Sequence, residues 1–331
     1  MRYGMPYMGS KNDIAKYLID ILPAGERFVD LFGGGAAMTH AACLSGKWKS
    51  VFYNEIQSIV VETVKKAVSG FYSEKNFVPE WIDRERFFRE KDSNGYIKYC
   101  WSFGGKGNSY IYSREIEDYK RAFHEAVCFG EYERGKKYGI DFSPIDGIQG
   151  IKERRLATRK LVFQSLAEQG VLEKRGSHFY KKGTMLDLLQ NLENLERLES
   201  LERLQSLEFS SKSYDEYEYR EGDIVYCDPP YEGTAQYDAD GFDSKAFYDW
   251  VASRPYRVFF SSYDISDTRF VKIFERVRNA RLSPIGYTTP RVEKLYCNRP
   301  FKVIENDQYC FDFWGRKCVQ YLGQFPVGIC A

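Results

Sequence analysis

Short apolar runs punctuate the chain at intervals. Phe28-Val29-Asp30-Leu31-Phe32, Ser50-Val51-Phe52-Tyr53, Ile224-Val225-Tyr226-Cys227 and Val258-Phe259-Phe260 are β-branched and aromatic. Runs this short and this apolar predict strands buried on both faces, as in a parallel sheet. Between them the spacing turns helical. Ile14, Tyr17, Leu18, Ile21 and Leu22 share one helix face, and Pro23 stops that helix. Ala36 to Ala42 opens a second helix, and Ile59 to Val64 reads as helical. Ser244 to Ala252 and Phe270 to Val277 predict two more helices, and residues 282–304 an antiparallel pair. Strands alternating with helices define an α/β fold.

One stretch fits neither period. Leu186, Leu189, Leu192, Leu195, Leu198, Leu201, Leu204 and Leu207 recur every three residues. At 100° per residue such a spacing carries leucines round a helix instead of along one stripe. Two readings stay open: a helix wrapped by several neighbours, or a winding of three residues per turn.

Five places carry candidate chemistry. Strand 28–32 runs into Gly33-Gly34-Gly35 and then a helix, an arrangement used to bind mononucleotides. Strand 50–54 ends at Glu55, about 20 residues after that turn, where an acid commonly accepts hydrogen bonds from ribose hydroxyls. Strand 224–227 ends in Asp228-Pro229-Pro230-Tyr231. The two prolines forbid further ladder or helix and hold the Asp228 carboxylate stiffly at the strand's carboxyl end. Near the N-terminus, Tyr7-Met8-Gly9-Ser10-Lys11 precedes a helix and is suited to a polar ligand group. The glycine-rich stretch 101–113, with aromatics at both ends, suits either a loop that wraps a nucleic-acid end or flipped base, or a hairpin connection.

The 331 residues suffice for one large domain or two ordinary ones. A net charge of +1 gives no global attraction to nucleic acid, so any basic surface is local. The best local candidate lies in residues 150–182, with Lys152, Arg154, Arg155, Arg159 and Lys160 as phosphate contacts. The 26 Tyr and 24 Phe fit both dense packing and stacking on bases. Eight scattered Cys without a CxxC pair and three His argue against a metal site and for reduced cytosolic thiols. No apolar run of membrane-spanning length and no signal-peptide pattern is present, so a cytoplasmic protein with no membrane partner is expected.

Taken together, Tyr7–Lys11, the Phe28–Gly35 turn, Asn54-Glu55 and Asp228-Pro229-Pro230-Tyr231 resemble, in order and kind, the Dam-type adenine-specific DNA methyltransferases. The stretch Glu293-Lys294-Leu295-Tyr296-Cys297-Asn298 is similar to that family's C-terminal E-x-L-x-x-N strand. The resemblance covers residues 5–56 and 207–298. It implies a Rossmann-like methyltransferase sheet with an inserted, mainly helical target-recognition region. The division expected is a discontinuous catalytic domain of 1–62 and 207–305, an insertion at 63–206 that includes the leucine segment, and a C-terminal extension at 306–331. This chain has Ser10 where the family usually has glycine, Tyr7 for Trp or Phe, and Glu55 for Asp.

The activity implied is transfer of a methyl group from S-adenosylmethionine to the exocyclic amine of a flipped-out adenine in double-stranded DNA. By resemblance the cofactor contacts are Tyr7, Lys11, Asp30, Phe32, Gly33, Gly35, Glu55 and Asp228, and the catalytic residues Asp228, Pro229 and Tyr231. The amine is a poor nucleophile because its lone pair is delocalised into the ring. Two acceptors aimed at its hydrogens, the Asp228 carboxylate and the Pro229 carbonyl, would localise that pair. Tyr231 would stack on the base. The alternatives are an RNA or protein-amide methyltransferase, whose relatives more often carry Asn-Pro-Pro-Tyr, and an inactive DNA-binding relative. Recognition sequence, oligomeric state and any restriction partner are not legible in the chain.

Overall fold

The computed structural model describes residues 2–168, 172–175, 178–181, 189–231, 241–279 and 290–300, together with the short pair 310–311 and 317–318. Leu186, residues 232–240 and nearly all of the extension expected at 306–331 lie outside the described residues.

In chain order the first part reads α1 (Ala15–Ile21), β1 (Arg27–Asp30), α2 (Ala37–Ser45), β2 (Ser50–Asn54) and α3 (Ser58–Val68). Four helices follow, α4 (Arg84–Glu90), α5 (Gly95–Cys100), α6 (Arg114–Phe129) and α7 (Glu133–Lys136). Next come α8 (Ile151–Glu168), a hairpin of β3 (Leu172–Arg175) and β4 (His178–Lys181), and α9 (Gln190–Glu199). The chain then runs through β5 (Leu207–Ser210), β6 (Asp223–Cys227), α10 (Ser244–Ser253), β7 (Val258–Ser262), β8 (Val271–Asn279) and β9 (Pro290–Cys297).

Seven strands form one sheet in the order β5-β2-β1-β6-β7-β9-β8. β5, β2, β1, β6 and β7 are parallel, and β9 runs antiparallel between β7 and β8. The apolar runs alternate faces as buried strands must. Phe28, Val51, Tyr226, Phe259 and Leu295 pack on α1 and α2, whereas Val29, Val225, Cys227, Val258, Phe260 and Tyr296 pack on Phe247, Trp250 and Val251 of α10. From β1 the chain moves outward to β2, and it later returns on β1's other side as β6. Such a reversal opens a crevice at the carboxyl ends of the two central strands.

At the opposite end of these strands Arg27 and Asp223 face each other in register. The guanidinium grips both carboxylate oxygens at 2.9 Å, with both side chains almost fully buried.

The helix expected at Phe270 to Val277 is instead the edge strand β8. Phe270, Ile273, Phe274 and Val277 match the helical i, i+3, i+4, i+7 template for a local reason. Against β9 the register jumps from Lys272 to Phe274, so Ile273 is an extra residue in a bulge. Ile273 and Phe274 thus both pack toward the α1/α2 face, and the period of two is lost. Of the antiparallel pair expected over 282–304, the described residues hold one strand, β9, whose antiparallel partners are β7 and β8; 282–289 and 301–304 lie outside the described residues.

Both readings of the leucine segment hold in part. Residues 190–199 are α-helical, and Ser200–Arg203 tightens into a 3-10 turn, where a spacing of three returns to one side. Over the single short α-helix, Leu192, Leu195 and Leu198 drift by only 120°, within one apolar face. All three are buried, as are Leu201 and Leu204, in a core shared with α3, α5 and α6.

The same helix also holds the N-terminal segment. Arg197, itself largely buried, donates to the carbonyls of Tyr3, Gly4 and Met5 at 2.7–3.3 Å. From the other side the N–H of Met5 bonds Gly35 O at 2.8 Å, and the N–H of Gly4 bonds His40 Nδ1 at 3.0 Å.

Candidate active site

The crevice at the reversal point is a cleft of about 870 Å³. It is lined by every residue expected at the cofactor and catalytic sites: Tyr7, Lys11, Asp30, Phe32, Gly33, Gly35, Glu55, Asp228, Pro229 and Tyr231. A volume of this order suits a nucleoside-sized ligand together with a base.

The floor is the glycine turn. Its N–H at Gly34 donates to Glu55 Oε2 at 2.9 Å, its carbonyl at Gly34 accepts from Tyr53 Oη at 2.7 Å, and Gly33 N–H reaches Asn54 O at 2.8 Å. Glu55 is therefore a brace for the turn. Its second oxygen takes the N–H of Gln57 at 3.0 Å, and the backbone N–H of Ile56 adds a third bond to the carboxylate. Burial raises its pKa, against the pull of these backbone bonds.

The glycines serve packing as much as ligand approach. A Cβ on Gly33 would sit 2.2 Å from Tyr53 Cε2, and one on Gly35 2.5 Å from Tyr7 Cβ. Gly34 adopts a left-handed φ of 45°. Gly33→Ala is expected to push the Tyr53 ring away, break its bond to Gly34 and cost about 2 kcal/mol, as overpacking does. Chemical denaturation of the variant measures this loss.

Asp30 ends β1, and Leu31 and Phe32 link it to the glycine turn. Its Oδ2 accepts from Thr39 N–H (3.2 Å) and Oγ1 (2.8 Å), while Oδ1 is buried with no partner. Burial pushes its pKa up to about 7, and the nearby carboxylates of Asp228 and Glu55 add to the rise. An unpartnered buried carboxylate oxygen in a cleft wall asks for a cationic or donor group from a ligand.

Beyond the end of the neighbouring strand β6, Asp228 Oδ1 receives Lys11 Nζ at 2.6 Å and Tyr231 Oη at 3.0 Å. The same two groups reach Glu293 Oε1 on β9, Lys11 at 3.2 Å and Tyr231 more closely still. Lys11 Nζ also lies 4.8 Å from the centre of the Tyr231 ring, and Tyr263 meets that ring edge-on at 4.6 Å. Burial raises the Asp228 pKa. Lys11 counters the rise, and the charge of Glu293 adds to it.

Several of these placements were not legible in the chain. Lys11, expected beside the cofactor, is bonded to the Asp228 carboxylate. Tyr231, expected as a stacking platform, is anchored through its hydroxyl. In the sequence Glu293 stands out only as the first residue of the E-x-L-x-x-N motif. Its sequence signal is a lone acid in an apolar strand whose side chain is 2% exposed. In the same motif Leu295 fills the core, and Asn298 bonds the carbonyls of Val251 and Tyr256 and the N–H of Val258, fixing the start of β7. Lys106, Lys212 and Tyr263 also line the cleft. The stretch 101–113 is a hairpin-like connection, bridged between Ser102 and Tyr110, and Gly105 packs against Tyr7.

The basic residues expected to hold DNA sit on α8, outside the cleft lining. Lys152, Arg159 and Lys160 are exposed and Arg154 is half-buried. Arg155 does not fit a phosphate contact. It is 7% exposed, and its fork is committed to Glu193 (3.0 Å) and Glu196 (2.8 Å) of α9.

The sheet, with its reversal and its antiparallel β9 near one edge, has the Rossmann-like architecture of a nucleotide-cofactor enzyme. Residues 7–250 match the family of D12 class N6 adenine-specific DNA methyltransferases, and the chain belongs to that family. A comparison with curated proteins gave no match. The enzyme is therefore an adenine-specific DNA methyltransferase, acting at adenine N6 in DNA. S-adenosylmethionine use and extrusion of the target base are implied by the family. Among the described residues no helix is long and apolar enough to cross a membrane, and no cluster of His, Cys, Asp or Glu could hold a metal ion.

Proposed function

We propose that the cleft binds S-adenosylmethionine over the glycine turn and receives a flipped adenine against Asp228 and Pro229. The observation that carries this reading is the unpartnered Asp30 Oδ1, in one cleft with Asp228. When bound, the cofactor supplies an electrophilic methyl group on a sulfonium. Asp30 then holds the ammonium of its amino-acid end, and Glu55 accepts from its ribose hydroxyls, while Tyr7 and Phe32 wall the cleft.

Toward the base, both contacts to Asp228 fall on Oδ1, so Oδ2 is the oxygen left for the incoming amine. The Pro229 carbonyl supplies the second acceptor. Held in place before the base arrives, the two require no reorganisation as charge develops. Lys106 and Lys212 at the cleft, with Lys152, Arg159 and Lys160 on α8, supply phosphate contacts for double-stranded DNA. Such a substrate gives a cytoplasmic place of work.

Incubation with tritium-labelled S-adenosylmethionine tests the reading directly. Label is expected in adenine of double-stranded DNA, and preference for RNA or protein in competition would overturn it. Cofactor affinity carries a pH signature. Asp30 must be ionised to hold an ammonium, and it gains a proton as pH falls through about 7. Affinity measured by calorimetry is thus expected to weaken below that point, and Asp30→Asn to weaken it by about tenfold at pH 8 and to flatten the dependence.

A further inference from the structure

Tyr3, Gly4 and Met5 belong to no helix or strand, yet Gly4 and Met5 are buried. Buried backbone groups need partners. In this segment the partners divide by kind. All three N–H groups bond the catalytic portion: Tyr3 to Asn12 Oδ1 at 2.6 Å, Gly4 to His40 Nδ1 of α2 at 3.0 Å, and Met5 to Gly35 O of the glycine turn at 2.8 Å. All three carbonyls bond one side chain, Arg197 of α9. Its Nε reaches Gly4 O at 3.0 Å, and its Nη2 reaches Met5 O at 2.7 Å and Tyr3 O at 3.3 Å. The segment is a strap between α9 and the glycine turn.

The strap lies tight on the turn. Gly4 has a left-handed φ of 68°, and a Cβ there would sit 2.3 Å from Gly35 O. Two residues beyond Met5, Tyr7 packs on the same turn, where a Cβ on Gly34 would lie 3.0 Å from its Cε1. Tyr7, Gly34 and Gly35 line the cleft, whereas Tyr3, Gly4, Met5 and Arg197 do not. Without the guanidinium three carbonyls lose their donors, and the two in buried residues must turn toward water or stay unpaired. Tyr7 and the turn then lose the backing that the strap gives them. Lys11 is moored separately. Its carbonyl accepts the N–H groups of Ile14 and Ala15 at 2.9 and 2.8 Å, and Ile14, Ala15 and Leu18 are buried against the sheet. The strap therefore shapes the side of the cleft made by Tyr7 and the turn, while the side at Asp228 keeps its own anchor.

We propose that Arg197 is a positioning residue for the cofactor, which holds Tyr7 and the glycine turn in place through the Tyr3–Met5 strap and so sets how tightly the cleft takes S-adenosylmethionine; this rests on the reading of the cleft as the cofactor site. A helix with no atom in the cleft then controls cofactor affinity and leaves the methyl-transfer step to Asp228 and Pro229.

Arg197→Met keeps the apolar stem and removes the fork. Calorimetry is expected to show S-adenosylmethionine binding about tenfold weaker than in the wild type, with KM for cofactor raised to match and kcat within about threefold. Arg197→Lys, a point donor in place of a fork, is the milder variant and is expected to lose about threefold. Gly4→Ala disturbs the strap from the turn side and is expected to weaken binding by about tenfold or more. Because both changes act on one strap, the double variant is expected to lose less than the product of the two. Arg155→Met separates this role from a general loosening of α9. It removes the tie to Glu193 and Glu196 without touching the strap, and cofactor affinity is expected to stay within about twofold. Amide hydrogen exchange, measured with no cofactor present, is expected to run about tenfold faster or more at Gly4 and Met5 in Arg197→Met, and at the wild-type rate in Arg155→Met. Wild-type cofactor affinity in both Arg197 variants would overturn the proposal, as would an equal loss in Arg155→Met or a fall in kcat at unchanged affinity. A wild-type protein that binds no S-adenosylmethionine, with its Gly4 and Met5 amides protected as expected, would instead overturn the reading of the cleft.

Discussion

Asp228→Ala is expected to abolish incorporation of labelled methyl groups into DNA, with a loss of at least about 10³-fold in kcat, the scale of removing a preorganised acceptor from a developing charge. Cofactor affinity is expected to stay within about tenfold of the wild type, because Asp30, Glu55 and the glycine turn remain. The separation follows from the geometry. Asp228 stands with Lys11 and Tyr231 beyond the end of β6, whereas the turn follows the neighbouring strand β1. Asp228→Asn keeps an acceptor oxygen but loses the charge that faces Lys11, and it is expected to fall between the two. In the wild type the acid limb has a definite sign. Burial raises the Asp228 pKa above the ordinary carboxylate value, so activity is lost as pH falls through that raised value. Wild-type turnover from Asp228→Ala would remove this residue from the chemistry.

The largest expected effect on stability lies at the far end of the same strands. Asp223→Ala leaves the Arg27 guanidinium, whose side chain is 6% exposed, with the more exposed Glu208, the Tyr217 hydroxyl and the Phe52 ring as its side-chain partners among the described residues. Breaking a buried pair on one side costs about 3–5 kcal/mol. Burial alone would raise the Asp223 pKa, but bonds from Arg27, Tyr217 and the Arg220 N–H outweigh it and hold it below the usual range. A depressed carboxylate pKa contributes stability above the unfolded value, and that contribution disappears as pH falls through the folded one. Denaturation of Asp223→Ala is therefore expected to show a large deficit at pH 7 that narrows in acid. A deficit that does not change with pH would contradict the ion pair as its source.

The elements that a local pattern specifies were legible in the sequence. β1, its glycine turn and α2 follow one another within some twenty residues, and β2 with Glu55 and β6 with Asp228 carry their own strand and stop signals. What could not be read depends on pairing across distance. Lys11 and Asp228 are far apart in the chain, and neither residue names the other. Arg155 belongs to a basic run in the sequence, but α9 brings two glutamates against it. The bulge at Ile273 defeats periodicity itself, because one extra residue turns a strand's alternation into a helix's. The leucine spacing leaves two windings open because the segment uses both, an α-helix to Glu199 and a 3-10 turn from Ser200.

The grip of Arg197 on the first residues bears on how far this enzyme can be taken apart. Three backbone carbonyls at residues 3–5 hang from one guanidinium of α9, six residues ahead of the lysine that meets Asp228. A chimera that exchanged the helical portion for another, and rejoined this chain only after α9, would keep the whole sheet and still lose the Arg197 grip on the segment that leads to Lys11. The smallest transplantable catalytic unit therefore includes a helix that contributes no atom to the cleft.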